Sequence, residues 1–254
     1  MTASLRTENL TIRFGGHAAV NDVTAAFRPG ELTVIVGPNG AGKTTWFNLV
    51  SGQLASSEGR IFKGDREITR LAPSARAKAG IGRAFQLTNL FPRLSVRENI
   101  RLVVQAREGK GPDLLRRASA LTALSREADS YLEATRLAAV ADYPAAALPH
   151  GDQRKLEVAM LAAMKPDIFM FDEPTAGMSL DEAPAILDLI AGLKEDSFKT
   201  ILLVEHKMDV VRALADRILV LHNGELVADG NPAEVMALPI VREIYLGAGA
   251  EDVA

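Results

Sequence analysis

Apolar and polar residues alternate over Leu10–Phe14, and a similar rhythm over Val20–Phe27 predicts a second half-buried strand. The run Glu31–Val36 is short and largely β-branched, as in a parallel strand buried on both faces. Asp167–Asp172 and Thr200–Glu205 predict two more such strands. Between them, residues 181–195 place Ile186, Leu189, Ile190 and Leu193 at helical spacing. Strands alternating with helices predict a parallel α/β sheet covered on both faces. Farther on, Arg217–His222 and Glu225–Ala228 flank Asn223-Gly224, the strongest short hairpin signal.

The middle of the chain has a different period. Leu114, Ala118, Leu121, Leu124, Ala128 and Leu132 mark one helical face, Gly109, Gly111 and Pro112 punctuate it, and Pro144 and Pro149 close it. A further helix is expected over Asp152–Met164. These patterns predict a helical lobe, residues 87–164, inserted into an α/β core made of residues 1–86 and 165–254.

Composition narrows the function. The 254 residues are 48% hydrophobic, enough for a real core, and 29 Lys and Arg stand against 32 Asp and Glu. No nucleic-acid partner is expected from that balance. With no cysteine, disulfides and thiolate metal sites are excluded. The N-terminal residues lack the layout of a signal peptide, and no apolar stretch is long enough to span a bilayer. Work at a membrane would therefore require docking onto a protein embedded there. Only a short tail follows Leu246, so no C-terminal regulatory domain is expected.

The chemistry begins after Val36. Gly37, Pro38, Asn39, Gly40, Ala41, Gly42, Lys43 and Thr44 match G-x-x-x-x-G-K-[ST] in full, with Thr45 following, between a buried strand and a helix beginning near Gly42. Glycines let backbone N–H groups face a phosphate, and the helix N-terminus favours negative charge. Lys43 is expected to reach the β- and γ-phosphates of a nucleotide and Thr44 to offer its hydroxyl to Mg²⁺. At the end of the next buried strand, Asp172 is suited to the Mg²⁺ shell and Glu173 to orienting or activating water. His206 ends another parallel strand on the same expected edge, where an imidazole can meet the γ-phosphate or the attacking water.

Together these motifs resemble the ABC ATPases over nearly the whole chain. The resemblance implies a P-loop NTPase core with an antiparallel β subdomain and an inserted α-helical subdomain, and ATP and Mg²⁺ as cofactors. It also implies that Phe14 stacks on adenine, and that Gln86, after Arg83-Ala84-Phe85, contacts the metal or water and senses a membrane partner. Finer features are similar to the branched-chain amino acid importer group, which includes ATPases for urea and short amides. They are Phe85–Phe91, Leu94–Ile100, Asp172–Met178, Val204–Met208 and Val241–Gly247. The histidine in Leu148-Pro149-His150-Gly151 resembles the urea type.

The implied partners are a second ATPase subunit, integral membrane permease subunits and, indirectly, a periplasmic or extracellular solute-binding protein. The implied location is the cytoplasmic face of the inner membrane, held peripherally by the permease. Competing readings are a soluble ABC ATPase outside transport and a regulatory nucleotide-binding module with weak hydrolysis.

Two departures from the family pattern stand on the dimer-facing side. The signature Leu-Ser-Gly-Gly-Gln is replaced by Leu148-Pro149-His150-Gly151-Asp152, so a hydroxyl and one backbone N–H are missing. His150, Gly151 and Asp152 are expected to face the nucleotide of the opposite subunit through weakened contacts. Ser179 stands where the family's D-loop aspartate is usual.

Overall fold

A computed structural model describes residues 4–84, 90–109, 118–179 and 181–248. In chain order its elements are β1 (Leu5–Phe14), β2 (His17–Phe27), β3 (Leu32–Val36), α1 (Lys43–Ser51), β4 (Glu58–Lys63), β5 (Arg66–Glu67), α2 (Pro73–Lys78) and β6 (Ile81–Ala84). Helices α3 (Val96–Arg107), α4 (Ala118–Ala134) and α5 (His150–Ala163) follow, then β7 (Ile168–Asp172) and α6 (Ala183–Gly192). The chain ends with β8 (Thr200–Val204), α7 (Met208–Leu214), β9 (Arg217–His222), β10 (Glu225–Gly230), α8 (Pro232–Ala237) and α9 (Pro239–Ala248).

Two compact units result. The first holds residues 1–83, 167–173 and 194–254. Its six-stranded sheet runs β10-β9-β3-β8-β7-β6, with β9, β3, β8 and β7 parallel to one another and β10 antiparallel to β9 at the edge. All five residues of β3, of β7 and of β8 are buried, which is why these strands read as unbroken apolar runs. A second, antiparallel sheet orders β2-β1-β4-β5. Trp46 of α1 packs its ring 5.5 Å from Phe27 of β2 and 5.9 Å from Phe47, filling the core of this unit. Arg76 is also buried there and donates to Leu49 O and Val50 O at 2.6 and 2.7 Å, covering carbonyls at the C-terminal end of α1.

The register places the chemistry. Ile35 of β3 and Asp172 of β7 both pair with Val204 of β8, so the loops leaving these three strands emerge on one sheet edge. The expected hairpin is present, with His222 opposite Glu225 and with Asn223 and Gly224 at φ 49° and 82°, as a type I′ turn requires.

The second unit holds residues 84–166 and 174–193. Its core brings Val96, Ile100 and Val104 of α3 together with Leu124, Ala128 and Leu132 of α4 and Leu156 of α5. Ser95 caps α3 by accepting from Glu98 N at 3.2 Å. The helical face expected in the middle of the chain is borne out from Leu124 onward, while Leu114 lies outside the described residues.

Several boundaries differ from the sequence reading. Strand β1 starts at Leu5, because Asn9 at φ 48° and the register shift between Thr7 and Leu10 break the alternation. Strand β2 begins at His17 and α5 at His150. The helix expected over 181–195 is shorter, Ala183–Gly192, with Pro184 in its first turn and a 3₁₀ turn over Leu193–Glu195.

Candidate nucleotide site

Gly37–Gly42 join β3 to α1 in a loop whose glycines are forced by backbone. At Gly37, with φ 150°, a Cβ would stand 2.1 Å from Leu221 O, and at Gly42, with φ 96°, 2.4 Å from Ala19 O. Gly42 is the N-cap of α1 and offers no side-chain acceptor, so the first amides of this nine-residue helix remain available to an anion. The Lys43 ammonium folds back over the loop, donating to Gly37 O at 2.7 Å and Pro38 O at 2.9 Å. Burial pushes its pKa below the ordinary lysine value, against the opposing pull of Glu173 and Asp172.

Asp172 ends β7 with a fully buried side chain, and its Oδ1 lies 3.5 Å from the Thr44 hydroxyl. Burial raises its pKa, opposed by the Arg83 guanidinium, by the Thr44 hydrogen bond and by Lys43. Glu173 sits at φ 48°, a left-handed backbone that a non-glycine residue holds at a cost, with its amide donating to Val204 O at 3.0 Å. Its Oε1 comes 4.0 Å from His206 Nδ1, and the His206 side chain is 54% exposed. Beside it the Glu205 carboxylate accepts from the His206 and Lys207 amides at 3.1 and 3.4 Å, holding the turn that presents the imidazole.

The first unit therefore brings together Lys43, Thr44, Asp172, Glu173 and His206. Phe14, at the end of β1, is 53% exposed and outside the core, so its ring face is open to a ligand. Gln86 lies outside the described residues. Among the described residues no cluster of three or more His, Asp and Glu could hold a metal by itself. The oxygen pair Thr44 Oγ1 and Asp172 Oδ1 fits a hard cation that arrives with a nucleotide and takes most of its ligands from phosphate and water.

The remaining expected site residues belong to the second unit. Pro149 is the N-cap of α5 without a capping bond, His150 opens the helix exposed, and Gly151 is buried. A Cβ on Gly151 would meet Glu182 Oε1 at 2.7 Å. The other Glu182 oxygen accepts from the Ser179 amide and hydroxyl at 3.3 and 3.0 Å. Asp152 is ion-paired with Lys155 at 2.7 Å, which tempers the negative charge it brings to the start of α5.

Against known proteins, residues 20–176 match the family model described as ABC transporter. This chain belongs to the ABC transporter family. The high-affinity branched-chain amino acid transport ATP-binding protein LivG of Escherichia coli K12 is 38% identical over 249 residues, 96% of this chain and 97% of LivG. Among solved structures, an ATP-binding cassette of an ABC transporter in its ADP conformation superposes with a TM-score of 0.83 at 28% identity, covering 97% of this chain and 100% of that one. A dimeric, post-hydrolysis cassette bound to ADP and Pi gives a TM-score of 0.75 at 26% identity, covering 89% and 98%. As an ABC ATP-binding subunit, the chain is an ATPase whose hydrolysis is coupled to transport.

The ABC core also contains residues that sequence reasoning missed. Glu205 carried no signal beyond ending a strand. Arg83, named only as part of the approach to Gln86, pairs with Asp172 at 2.8 Å. The Tyr245 hydroxyl, on α9, is buried against the Gly37 backbone, and burial pushes its pKa up to about 12 against the opposing pull of that backbone contact.

Proposed function

We propose that this chain is the ATP-hydrolysing subunit of an importer for branched-chain amino acids, working as a dimer of ATPase subunits beneath integral membrane permease subunits. The solute assignment rests on the LivG identity across nearly the whole of both chains. The hydrolytic assignment rests on the Glu173–His206 pair at the sheet edge that carries Lys43 and Asp172. No described helix is long and apolar enough to cross a membrane, in keeping with a peripheral subunit held at the cytoplasmic face by the permease. A periplasmic solute-binding protein would deliver the amino acid to the other side of that permease.

The α1 amides and Lys43 hold the nucleotide's phosphates, and Phe14 stacks on its base. Thr44 and Asp172 would hold Mg²⁺, which when bound draws charge off the phosphate oxygens. Glu173 orients a water and accepts its proton as the water oxygen attacks the γ-phosphorus. The bond from that phosphorus to the β-bridging oxygen breaks, and ADP leaves with the electron pair. His206 stands beside the water and the transferring group. The amides at the start of α5, with Gly151, close over the nucleotide of the partner subunit without the hydroxyl that Pro149 lacks. Closure excludes water and completes the site.

The test is Glu173→Gln purified from solubilised native membranes with ATP and Mg²⁺. It should bind ATP with near wild-type affinity, hydrolyse it at least a hundredfold more slowly, roughly the size of a lost general base, and copurify with polytopic membrane proteins. Hydrolysis at the wild-type rate removes Glu173 from its role. Absence of any membrane protein removes the importer assignment.

A further inference from the structure

The guanidinium of Arg83, at the end of β6, is unusually committed for a residue outside the phosphate motifs. Nη2 donates to Asp172 Oδ2 at 2.8 Å, while Nη1 reaches Asn48 Oδ1 at 2.6 Å, Ser51 Oγ at 2.9 Å and Gln53 Oε1 at 3.1 Å. The ion pair is deeply buried, with side chains 7% and 0% exposed. Its four acceptors come from β7, from α1 and from the turn after it, so one planar group ties the carboxylate to the helix that begins at the phosphate loop. Phe47 of α1 lies under the guanidinium, 5.7 Å from its carbon to the ring centroid.

The two oxygens of Asp172 are thereby divided. Oδ2 is taken by Arg83, and Oδ1 is turned to the Thr44 hydroxyl. We propose that Arg83 is the positioning residue of the metal site, holding the Asp172 carboxylate so that Oδ1 and Thr44 Oγ1 present one ready pair of ligands to the cation that accompanies the nucleotide. The inference rests on Mg²⁺ binding at Thr44 and Asp172. Two effects oppose each other. A fixed cation beside the carboxylate repels an incoming metal, whereas a carboxylate held in one orientation spends no freedom on binding it. Orientation wins here, because the Asp172 side chain has no solvent to replace Arg83 and without its partner would turn away. Arg83 acts on the cation's ligands through its bond to Asp172, as a positioning residue.

The experiment uses the full chain saturated with ADP, titrated with Mn²⁺ as a spectroscopic stand-in for Mg²⁺, alongside ADP binding in EDTA. Arg83→Lys keeps a cation but loses the planar fork, and Arg83→Gln removes the charge. Both should weaken cation binding about 10- to 100-fold, the range for lost outer-shell partners, while ADP affinity in EDTA stays near wild type. Asn48→Ala keeps the bond to Asp172 and loosens the far side of the fork. It should weaken cation binding less and in the same direction, and it provides the answer if the Arg83 variants fold poorly.

Unchanged cation affinity in Arg83→Lys and Asn48→Ala makes Arg83 structural glue and overturns the proposal. So does tighter binding in Arg83→Gln, which would make Arg83 a competitor of the metal. An equal loss of ADP affinity with and without cation also overturns it, by placing the effect on the phosphate loop. Wild-type protein that binds no Mn²⁺ with ADP removes the metal assignment itself, and the proposal with it.

Discussion

Replacing glycines of the phosphate loop by alanine tests how the loop is held. At Gly40, φ is 78° and a Cβ would meet nothing within 4 Å. Gly40→Ala therefore costs only the left-handed backbone penalty of about 1–2 kcal/mol. The stiffer unfolded chain offsets that by about 0.4–1 kcal/mol. The net destabilisation is about 1 kcal/mol. At Gly42, with φ 96°, the same terms apply and the new Cβ also falls 2.4 Å from Ala19 O, a backbone atom in β2 that cannot swing aside. Forcing that strand or the start of α1 to move adds about 1–3 kcal/mol, the usual cost of overpacking, for a total of about 2–4 kcal/mol. For a chain of this size, a gap of about 2 kcal/mol between the variants is about 4–8 °C in Tm. Thermal unfolding without nucleotide reads the gap directly, and ADP affinity should fall in the same order. If Gly40→Ala is as destabilising as Gly42→Ala, contact with β2 is not what shapes the loop, and the steric argument fails.

Three further outcomes are expected. Glu127 accepts from Arg107 at 3.0 and 2.9 Å and pairs with Lys165 at 2.8 Å, with Arg107 first among the causes holding its carboxyl down to about 2. A lowered acid pKa adds stability above the unfolded value and loses it as pH falls. Glu127→Gln should thus cost about 1 kcal/mol near neutrality after solvent screening, a deficit in Tm that narrows from about pH 4.3 downward. Tyr245→Phe should leave neutral stability within about 1 kcal/mol, since the hydroxyl's contact with the Gly37 backbone is worth no more than one neutral hydrogen bond. Above about pH 10 the variant should be the more stable, because there the unfolded wild type gives up a proton that the folded chain keeps up to about 12. Phe14→Ala should weaken ATP binding up to about tenfold, the worth of one stacked ring, with Tm unchanged because the side chain is 53% exposed.

The features legible in the sequence are those whose causes are contiguous in the chain. Five buried residues in a row announce β3, β7 and β8, because a strand covered on both faces has no polar side to interrupt it. Asn223-Gly224 announces the hairpin because a type I′ turn needs φ > 0 at two adjacent positions. The phosphate loop is legible for the same reason: its glycines answer to backbone geometry within one turn. Local pattern also misled where backbone irregularity broke the alternation, as at Asn9 in β1. Pairings across the fold left no such trace. Arg83 meets Asp172 across 89 residues and Asn48 across 35, and nothing local distinguishes that arginine from a surface one. Glu205 in the turn before α7, Glu182 against Gly151, and Tyr245 against Gly37 are likewise set by which elements pack together. The sequence by itself determined the reacting groups and the strands that carry them. Tertiary structure alone decided their orientation, because a buried carboxylate or imidazole takes its direction from partners that only folding brings within hydrogen-bond reach.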